Sequence, residues 1–239
     1  MIKLSVIIPC YNEASAISLL IDKCRNANNN RKDIEFILVD NGSTDTTSVI
    51  LKDLLINQDL FFIKLVTVKN NIGYGNGIIQ GLKAASGEIL SFTHADLQCD
   101  PKDAVLVYDQ YKDKLENNLC VVKGRRTNRS GFDNFFTWAM SVFSSWTLGV
   151  QLSDVNAQPK MFHRQFYESL NNLPLDFSLD LFILYSARKK NIPIIDFPVI
   201  FSKRHSGVAK GGGSLKGKWK LIKRTYRYII QLRMEVKKS

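Results

Sequence analysis

Three polar residues in the stretch HADLQ, residues 94–98, could bind the phosphates of a nucleotide through a metal ion. His94, Asp96 and Gln98 alternate along the chain directly after the apolar run EILSFT at 88–93. If that run is a strand that continues to residue 98, the three side chains project from one face. Carboxylate and amide oxygens suit Mg²⁺ or Mn²⁺, and Mg²⁺ often takes few protein ligands beside substrate phosphates. The stretch is therefore a candidate metal site with one close carboxylate, Asp96.

Two further apolar runs also end in polar residues. LSVIIP at 4–9 is followed by Tyr11, Asn12 and Glu13, and EFILVD at 35–40 ends in Asp40 and continues as NGSTD. Ligands bind outside the carboxyl ends of the strands in open parallel sheets, so these residues would meet the HADLQ stretch at one edge. The alternative for DNGSTD is a turn that leads into an N-capped helix, because Asn, Gly, Ser and Asp all suit that task.

The elements that must position these residues can be read from hydrophobic periodicity. Strands buried on both faces are predicted from apolar runs at 4–9, 35–40, 61–68, 88–93 and 119–124. Helical spacing occurs at 13–27, 45–56 and 75–86, and Pro101 favours a helix start. This alternation predicts an α/β fold with a mostly parallel central sheet flanked by helices. After residue 124 the pattern changes to strands near 158–163 and 193–197 and a helix near 177–190.

The composition is that of a globular protein. The chain has 239 residues, of which 45% are hydrophobic and 23% charged, enough for one large domain. Its four cysteines form no C-x-x-C pair, which argues against a zinc knuckle or a disulfide framework and fits a reducing compartment. The sequence shows no signal-peptide pattern and no run of 18 apolar residues, so we expect a cytoplasmic protein. The uncharged residues 134–153 are predicted to form a buried or interfacial helix.

The excess positive charge lies at the C-terminal end. Residues 203–239 contain 12 Lys/Arg residues and one acid, Glu235, whereas residues 1–202 contain 21 of each sign. An amphipathic helix is predicted over residues 211–239, after a domain spanning 1–210, and its apolar face consists of Leu215, Trp219, Ile222, Tyr226 and Ile229. Such a helix suits peripheral association with an anionic membrane surface, and the alternative is packing on its own domain. Nucleic acid is not expected as a partner, because charge alone supports it.

Four motifs taken together resemble the family-2 glycosyltransferases. They are SVIIPCYNE, ILVDNGSTD, NIGYGNGIIQGLKAASGEIL and HADLQ, in the order and spacing of the polyprenyl-phosphate branch, which includes dolichol-phosphate mannose synthase. The resemblance covers roughly residues 3–210 and is looser after 130. It implies a GT-A fold, a metal-dependent hexosyltransferase, a UDP- or GDP-sugar donor, Mg²⁺ or Mn²⁺, and inversion at the anomeric carbon. Members of this branch often continue into transmembrane helices, which this sequence lacks, so we expect a membrane-protein partner.

The resemblance also assigns roles to single residues. It places the base and ribose of the donor against Pro9, Tyr11, Glu13 and Asp40. Asn41 stands where the family often has a second Asp, and His94 replaces the first Asp of its D-A-D-L-Q run, followed by Ala95 as a further donor contact. Asp96 and Gln98 match the metal contacts. Arg125 in KGRR, and Arg204 and Lys210 in RHSGVAK, match basic residues beside the donor.

His94 leaves several interpretations open. An imidazole suits transition metals more than Mg²⁺, so the change could favour Mn²⁺ or remove position 94 from the metal shell, and we expect removal. His94 could instead contact the donor ribose or sugar, or serve only as a hydrogen-bonded residue at a strand end. A noncatalytic nucleotide-binding relative is also compatible with His94 and Asn41.

The acceptor side is less defined by the sequence. Asp96, Arg125 and Asp180 are the candidate catalytic residues, and we expect Asp180 to orient the acceptor or the donor sugar. The alternative is that Asp180 and Asp176 cap or line the helix at 177–190. A polyprenyl phosphate is already ionised near neutral pH and can attack without a base. A saccharide hydroxyl, the alternative acceptor in surface-polysaccharide assembly, needs a general base.

Overall fold

A computed structural model of the chain describes residues 1–56, 60–127, 141–202, 223, 226–230 and 232–233. Its seven strands are β1 (Leu4–Cys10), β2 (Ile34–Asn41), β3 (Ile63–Val68), β4 (Ile89–Phe92), β5 (Val121–Thr127), β6 (Lys160–His163) and β7 (Ile194–Ile200). Its helices are α1 (Ile17–Asn28), α2 (Thr47–Ile56), α3 (Tyr74–Ala84), α4 (Pro101–Glu116), α5 (residues 141–148), α6 (Arg164–Glu168) and α7 (Leu179–Lys189).

All seven strands belong to one sheet in the order β3-β2-β1-β4-β6-β5-β7. Strands β1 to β4 are parallel, and so are β5 and β7. Strand β6 runs antiparallel to both of its neighbours, β4 and β5. The predicted α/β fold with a mostly parallel sheet is confirmed. The insertion of β6 beside β4 brings the second half of the chain next to the HADLQ stretch.

Helices and apolar side chains cover both faces of the sheet. Val6 and Ile8 of β1 pack on the side of α1 and α4, whereas Ile7 packs on the side of α3 and α7. This arrangement explains the continuous apolar runs of the central strands. Two cations interrupt the pattern, because Lys123 of β5 and Lys160 of β6 are fully buried on the side of α7.

Helix α4 begins where the sequence indicates. Pro101 occupies its first turn, and the Asp100 side chain accepts a hydrogen bond from the backbone N–H of Lys102 at 3.0 Å. The missing N–H of proline costs nothing at this position, because the first helical N–H groups have no partner within the helix. The prediction of a helix start at Pro101 is confirmed.

The strand before HADLQ ends at Phe92, so the expected extension of that strand to residue 98 is wrong. Strand β4 pairs with β1 and β6 only as far as Phe92, and Leu97 adopts φ 60°, in the left-handed region. The backbone N–H of Ser202 then donates to the carbonyl oxygen of Gln98 at 2.9 Å. A turn, not a strand face, therefore presents Asp96 and Gln98.

The described part of the basic C-terminal segment packs on the domain. Positions 223, 226–230 and 232–233 are helical, and Ile229 is buried in the apolar cluster on the side of α3 and α7. The Tyr226 ring stacks on Phe143 of α5, with centroids 5.1 Å apart. Leu215, Trp219, Ile222, residues 134–140 and the predicted boundary at 210/211 lie outside the described residues. No helix in the described ranges is long and apolar enough to cross a membrane.

Candidate active site

The polar residues predicted to meet at one sheet edge do follow neighbouring strands. Strands β2, β1 and β4 are adjacent, and the chain order reverses between β1 and β4. Such a reversal at the carboxyl ends of parallel strands opens a crevice in which ligands bind. Tyr11–Glu13 follow β1 and His94–Gln98 follow β4, while Asp40 and Asn41 end β2 and the turn continues to Asp45.

Hydrogen bonds join the first two of these turns. The Asn12 backbone N–H donates to Ser43 Oγ at 3.1 Å, and Asn12 Oδ1 accepts from the backbone N–H of Thr44 at 2.8 Å. The Glu13 backbone N–H donates to Thr47 Oγ1 at 2.9 Å. Because these bonds use backbone groups and small side chains, the two turns form one fixed wall of the crevice.

Asp40 and Asp45 have different tasks in the DNGSTD turn. Asp40 is buried, and its Oδ1 accepts from the backbone N–H of Ser43 at 3.0 Å. Asp45 Oδ1 accepts from the backbone N–H of Thr47 at 2.9 Å, at the start of α2. The interpretation of this segment as a turn into a capped helix is therefore confirmed for Asp45, while Asp40 lies at the end of β2 beside the crevice.

Gly42 permits the close approach that shapes this turn. Its φ is +71°, and a Cβ at this position would lie 2.4 Å from the backbone nitrogen of Asn71. Any other residue would clash with backbone atoms there and adopt a strained left-handed conformation. The DNGSTD turn is thereby packed against the segment that leads to α3.

Asn41 is buried and only partly satisfied. Its Nδ2 donates to the carbonyl oxygen of Gly73 at 3.0 Å, while its Oδ1 has no hydrogen-bond partner among the described residues. The amide thus supports the start of α3, a task that an aspartate could not perform with the same donor. Its predicted contact with the donor remains a prediction.

The glycine-rich stretch NNIGYGNG connects the two halves of the chain. It leads into α3, and the backbone N–H of Asn76 donates to the carbonyl oxygen of Leu175 at 2.9 Å. Side chains at Gly73 or Gly75 would collide with the backbone of residues 174–176. These glycines therefore let the segment before α7 lie directly on α3, a role that the flexible-turn interpretation missed.

Asp96 offers one buried carboxylate for a divalent ion. Its Oδ1 accepts from the backbone N–H of Gln98 at 3.1 Å, and Gln98 Nε2 donates to the carbonyl oxygen of Ser202 at 3.4 Å. No cluster of three or more His, Cys, Asp or Glu side chains suited to a metal occurs in the described ranges. A single carboxylate beside a crevice fits an ion held mainly by donor phosphates. The assignment of Gln98 as a second ligand stays a prediction.

His94 packs against an aromatic ring. The centroid of its imidazole lies 5.5 Å from that of Tyr74, and Ala95 beside it is buried. Burial lowers the pKa of His94, and the negative charges of Asp96 and Asp180 only partly oppose this effect. Burial, with the charges of Asp180 and Asp96, also raises the pKa of Tyr74. Both rings are therefore neutral near pH 7, close to two carboxylates.

Asp180 is paired with a buried lysine. Its Oδ1 accepts from Lys160 Nζ and from Gln158 Nε2, the latter at 2.8 Å. The alternative that Asp180 caps its helix is not supported, because its side chain turns to Lys160 and Gln158. The Oδ1 of Asp176 instead accepts from the backbone N–H of Ser178 at 2.8 Å, just before α7.

Sequence reasoning missed Tyr74, and for Gln158 and Lys160 it gave only the resemblance of DVNAQPKMF at 154–162 to the family's segment beside the acceptor pocket, without a role for either residue. The sequence contains a sign of the Lys160–Asp180 pair. NAQPKMF places Lys160 in a predicted short strand, where an apolar residue is usual, and Asp180 follows near the start of the next predicted helix. Recognising the pair from sequence requires knowing that β6 lies beside α7. Gln158 also donates to the Tyr74 hydroxyl at 3.3 Å, which links Asp180 to the ring that contacts His94.

The two arginines of KGRR diverge at the end of β5. Arg125 is exposed, while Arg126 forms an ion pair with Asp154, to which it donates from its backbone N–H and from Nε at 3.0 Å each. Although burial acts to raise the pKa of Asp154, the hydrogen bonds and charge of Arg126 lower it. Of these two arginines only Arg125 is exposed, and it is therefore the one free to meet a ligand from solvent. Arg204 and Lys210 lie outside the described residues.

Comparison with known proteins identifies relatives of the whole chain. Residues 5–176 match the family described as Glycosyl transferase family 2. The chain is 29% identical over 215 residues to a dolichyl-phosphate beta-glucosyltransferase from Dictyostelium discoideum, covering 83% of this chain and 66% of that protein. It is 26% identical to a dodecaprenyl-phosphate galacturonate synthase from Rhizobium johnstonii, covering 97% of this chain and 65% of the relative. The chain therefore spans slightly less than two thirds of each relative.

A solved structure confirms the architecture. Glucosyl-3-phosphoglycerate synthase from Mycobacterium tuberculosis, in complex with Mn²⁺, UDP and glucosyl-3-phosphoglycerate, superposes with a TM-score of 0.68 at 19% identity. The match covers 97% of this chain and 79% of the synthase. This similarity supports the predicted GT-A-like fold. Because the family match extends from β1 to the segment before α7, the chain belongs to glycosyl transferase family 2.

Proposed function

We propose that this chain transfers a sugar from a nucleoside-diphosphate sugar to a polyprenyl phosphate, with inversion at the anomeric carbon, at a membrane surface. The adjacency of β2, β1 and β4, whose carboxyl ends carry Asp40, Tyr11–Glu13 and the turn with Asp96, is the observation that supports this function most strongly. Two relatives in the same family are named for transfer to dolichyl or dodecaprenyl phosphate, which supports the acceptor class.

The donor lies along the carboxyl ends of β1, β2 and β4 in this proposal. Pro9, Tyr11, Glu13 and Asp40 bind the base and ribose, and Asp96 would hold a divalent ion that supplies positive charge to the diphosphate. When bound, Mg²⁺ or Mn²⁺ neutralises the charge that develops on the leaving diphosphate. The exposed Arg125 guanidinium at the end of β5 adds positive charge beside the same group.

The environment of Asp180 favours a phosphate acceptor over a hydroxyl acceptor. A hydroxyl must lose a proton to a general base, whereas an ionised phosphate attacks without one. The carboxylate of Asp180 is balanced by the Lys160 ammonium group, an arrangement that suits holding a hydroxyl of the sugar in place. Transfer to a phosphate needs only this positioning from Asp180, because no proton has to be removed from the acceptor.

Exposed residues near the C-terminal helix support association with a membrane. Trp146 of α5 is 78% exposed and Val142 is 47% exposed, and α5 contacts the C-terminal helix through Phe143. Lys223 and Arg227 on that helix are exposed. Apolar side chains next to cations bind anionic lipid surfaces. The acceptor then reaches the crevice from the bilayer, and a membrane-protein partner receives the glycosylated lipid.

A thermal-shift panel tests the donor part of this proposal. We expect UDP or GDP sugars to raise the melting temperature in the presence of Mn²⁺ or Mg²⁺, and EDTA to reduce the increase. Asp40→Asn should weaken the shift, because the buried carboxylate lies at the proposed ribose and base site. No stabilisation by any nucleotide sugar would contradict the proposed function.

A further inference from the structure

Lys160 is a buried cation that contacts the carboxylate of Asp180. It lies in β6 with 0% of its surface exposed, and its Nζ donates to Asp180 Oδ1 and to the carbonyl oxygen of Ala157, the latter at 3.0 Å. Nζ also lies 5.7 Å from the centroid of the Phe92 ring. A buried ammonium group is costly unless it is paired, and an apolar side chain would fill a strand position without that cost. The position therefore calls for an explanation beyond packing.

The hydrogen bonds to Asp180 are one-sided. Lys160 and Gln158 both donate to Oδ1, and no donor among the described residues reaches Oδ2. Asp180 is itself only 2% exposed, so its side chain has little room to rotate. The two donors fix the plane of the carboxylate and leave one oxygen for another partner.

Helix α7 does not depend on Asp180 for its start. Its N-cap residue, Ser178, makes no side-chain capping bond, and Asp176 supplies the side-chain acceptor at this turn. The Asp180 carboxylate is thus committed to the buried polar cluster and not to helix capping. The same cluster reaches Tyr74 through Gln158, and Tyr74 contacts His94.

We propose that Lys160 is a positioning residue, which holds Oδ1 of the Asp180 carboxylate and thereby turns Oδ2 toward a hydroxyl of the transferred sugar. This role rests on the proposed function. Gln158 donates to Asp180 and to the Tyr74 hydroxyl, and the Tyr74 ring contacts His94, two residues before Asp96. A sugar attached to the diphosphate beside Asp96 is therefore within the neighbourhood of Asp180.

The test compares kcat and the donor KM of the wild type with those of Lys160→Met, Asp180→Asn and the double variant, using the UDP or GDP sugar that the wild type turns over. We expect Lys160→Met to lower kcat roughly 100-fold with the donor KM changed less than about threefold, because a misplaced orienting group affects the reacting geometry. The double variant should match Asp180→Asn, since Lys160 acts only through that carboxylate.

The split between kcat and the donor KM separates positioning from a structural role, because a merely structural loss lowers the amount of folded enzyme and not the kcat of the enzyme that folds. The charged groups that influence Lys160 are Asp180 on α7, Lys123 on β5 and Asp154 before β6, and all three are unchanged in Lys160→Met.

Lys123→Met is the matched control. Lys123 is 1% exposed in the neighbouring strand β5, and its Nζ pairs with Asp196 Oδ1 at 2.7 Å. Its removal should lower the melting temperature without changing the kcat of the folded enzyme. If Lys160→Met does not fold, the double variant, which buries no unpaired charge, still decides the question by comparison with Asp180→Asn.

The outcomes distinguish this inference from the proposed function. Wild-type transfer together with an unchanged kcat in Lys160→Met, or a double variant far less active than Asp180→Asn, would overturn the role of Lys160 alone. Absence of transfer by the wild type from every UDP and GDP sugar would overturn the proposed function and this role with it. A non-additive loss of kcat with a nearly unchanged donor KM supports the role.

Discussion

The imidazole ring of His94 lies against the phenol ring of Tyr74, with centroids 5.5 Å apart and an angle of 37° between the planes. Tyr74 stacks in turn on Phe177, whose centroid is 4.6 Å away. This row of three rings joins the HADLQ turn to the segment before α7, so position 94 is part of the contact between the two halves of the domain. The contact is consistent with a His94 that lies outside the metal shell.

Replacement of His94 by aspartate should be tolerated. We expect His94→Asp to retain transfer within about tenfold of the wild type, and to reach half-maximal activity at lower Mg²⁺, because carboxylate oxygen is a better Mg²⁺ ligand than imidazole. His94→Phe, which keeps a ring beside Tyr74, should leave the metal requirement unchanged. A loss beyond 100-fold in His94→Asp at saturating metal would mean that the site depends on the imidazole.

Removal of the Asp96 carboxylate should abolish metal-dependent transfer. We expect kcat of Asp96→Ala to fall by at least about 100-fold, because the diphosphate loses the ion that stabilises its charge. The variant should also lose the Mn²⁺-dependent part of the thermal shift given by a nucleotide sugar. Asp113→Ala, at an exposed position on α4, is the control that should behave as the wild type. Equal metal dependence in both variants would exclude Asp96 as a ligand.

Asp103 should make stability depend on pH. Partial burial, followed by the nearby negative charge of Asp100, raises the pKa of Asp103 to about 6. The Asp103 carboxyl therefore stays protonated in the folded state at pH values where the unfolded chain has released this proton, near pH 4 and above. The contribution of this protonated carboxyl to the free energy of unfolding is fully present below pH 4 and is lost as the pH rises through 6.

Asp103→Asn removes this titration. The free energy of unfolding of the variant, relative to that of the wild type, should rise by about 1–2 kcal/mol between pH 5 and pH 7.5. This is less than the ~3 kcal/mol that corresponds to two pKa units, because the carboxyl is partly exposed. Chemical denaturation at the two pH values measures the difference, with Asp113→Asn as the control on the same helix. An equal difference in the free energy of unfolding between Asp103→Asn and the wild type at both pH values would contradict the raised pKa of Asp103.

Trp146 should contribute to membrane association. We expect the protein to float with vesicles that contain anionic lipid, to remain unbound with neutral vesicles, and to be released by high salt. Trp146→Ser should weaken binding roughly 10- to 100-fold, because an aromatic side chain no longer enters the interface. Phe61→Ser is the matched control, since Phe61 is 94% exposed in the turn before β3. Equal binding to neutral vesicles would contradict the electrostatic component.

The first half of the fold was predictable because its strands are buried on both faces and its helices follow in regular alternation. The runs at 4–9 and 35–40 lie within β1 and β2, and Pro101 begins α4. The antiparallel β6 was not predictable as a neighbour of β4, because local periodicity does not specify which strands pair. For the same reason the Lys160–Asp180 pair, which depends on that neighbour, could not be found from the sequence.

The extension of β4 to residue 98 failed for a local reason. Alternating residues in HADLQ look like a strand, but the left-handed Leu97 and the bonds between Gln98 and Ser202 turn the chain away from the sheet. Ser202 is over 100 positions further along the chain, a separation that patterns in short windows do not include. The strands that end in Asp40 and in the HADLQ turn were nevertheless expected at one edge of the sheet, and β2, β1 and β4 are neighbours there.

The central claim is sugar transfer from a nucleotide donor to a lipid phosphate, and a direct assay tests it. Purified protein with Mn²⁺ or Mg²⁺ is given labelled UDP and GDP sugars together with either a polyprenyl phosphate or a saccharide acceptor, and lipid-linked sugar is measured with the anomeric configuration of the product. We predict labelled polyprenyl-phosphate sugar of inverted configuration, dependent on metal and on Asp96. Transfer to the saccharide alone, or no lipid-linked product from any donor, would contradict the account.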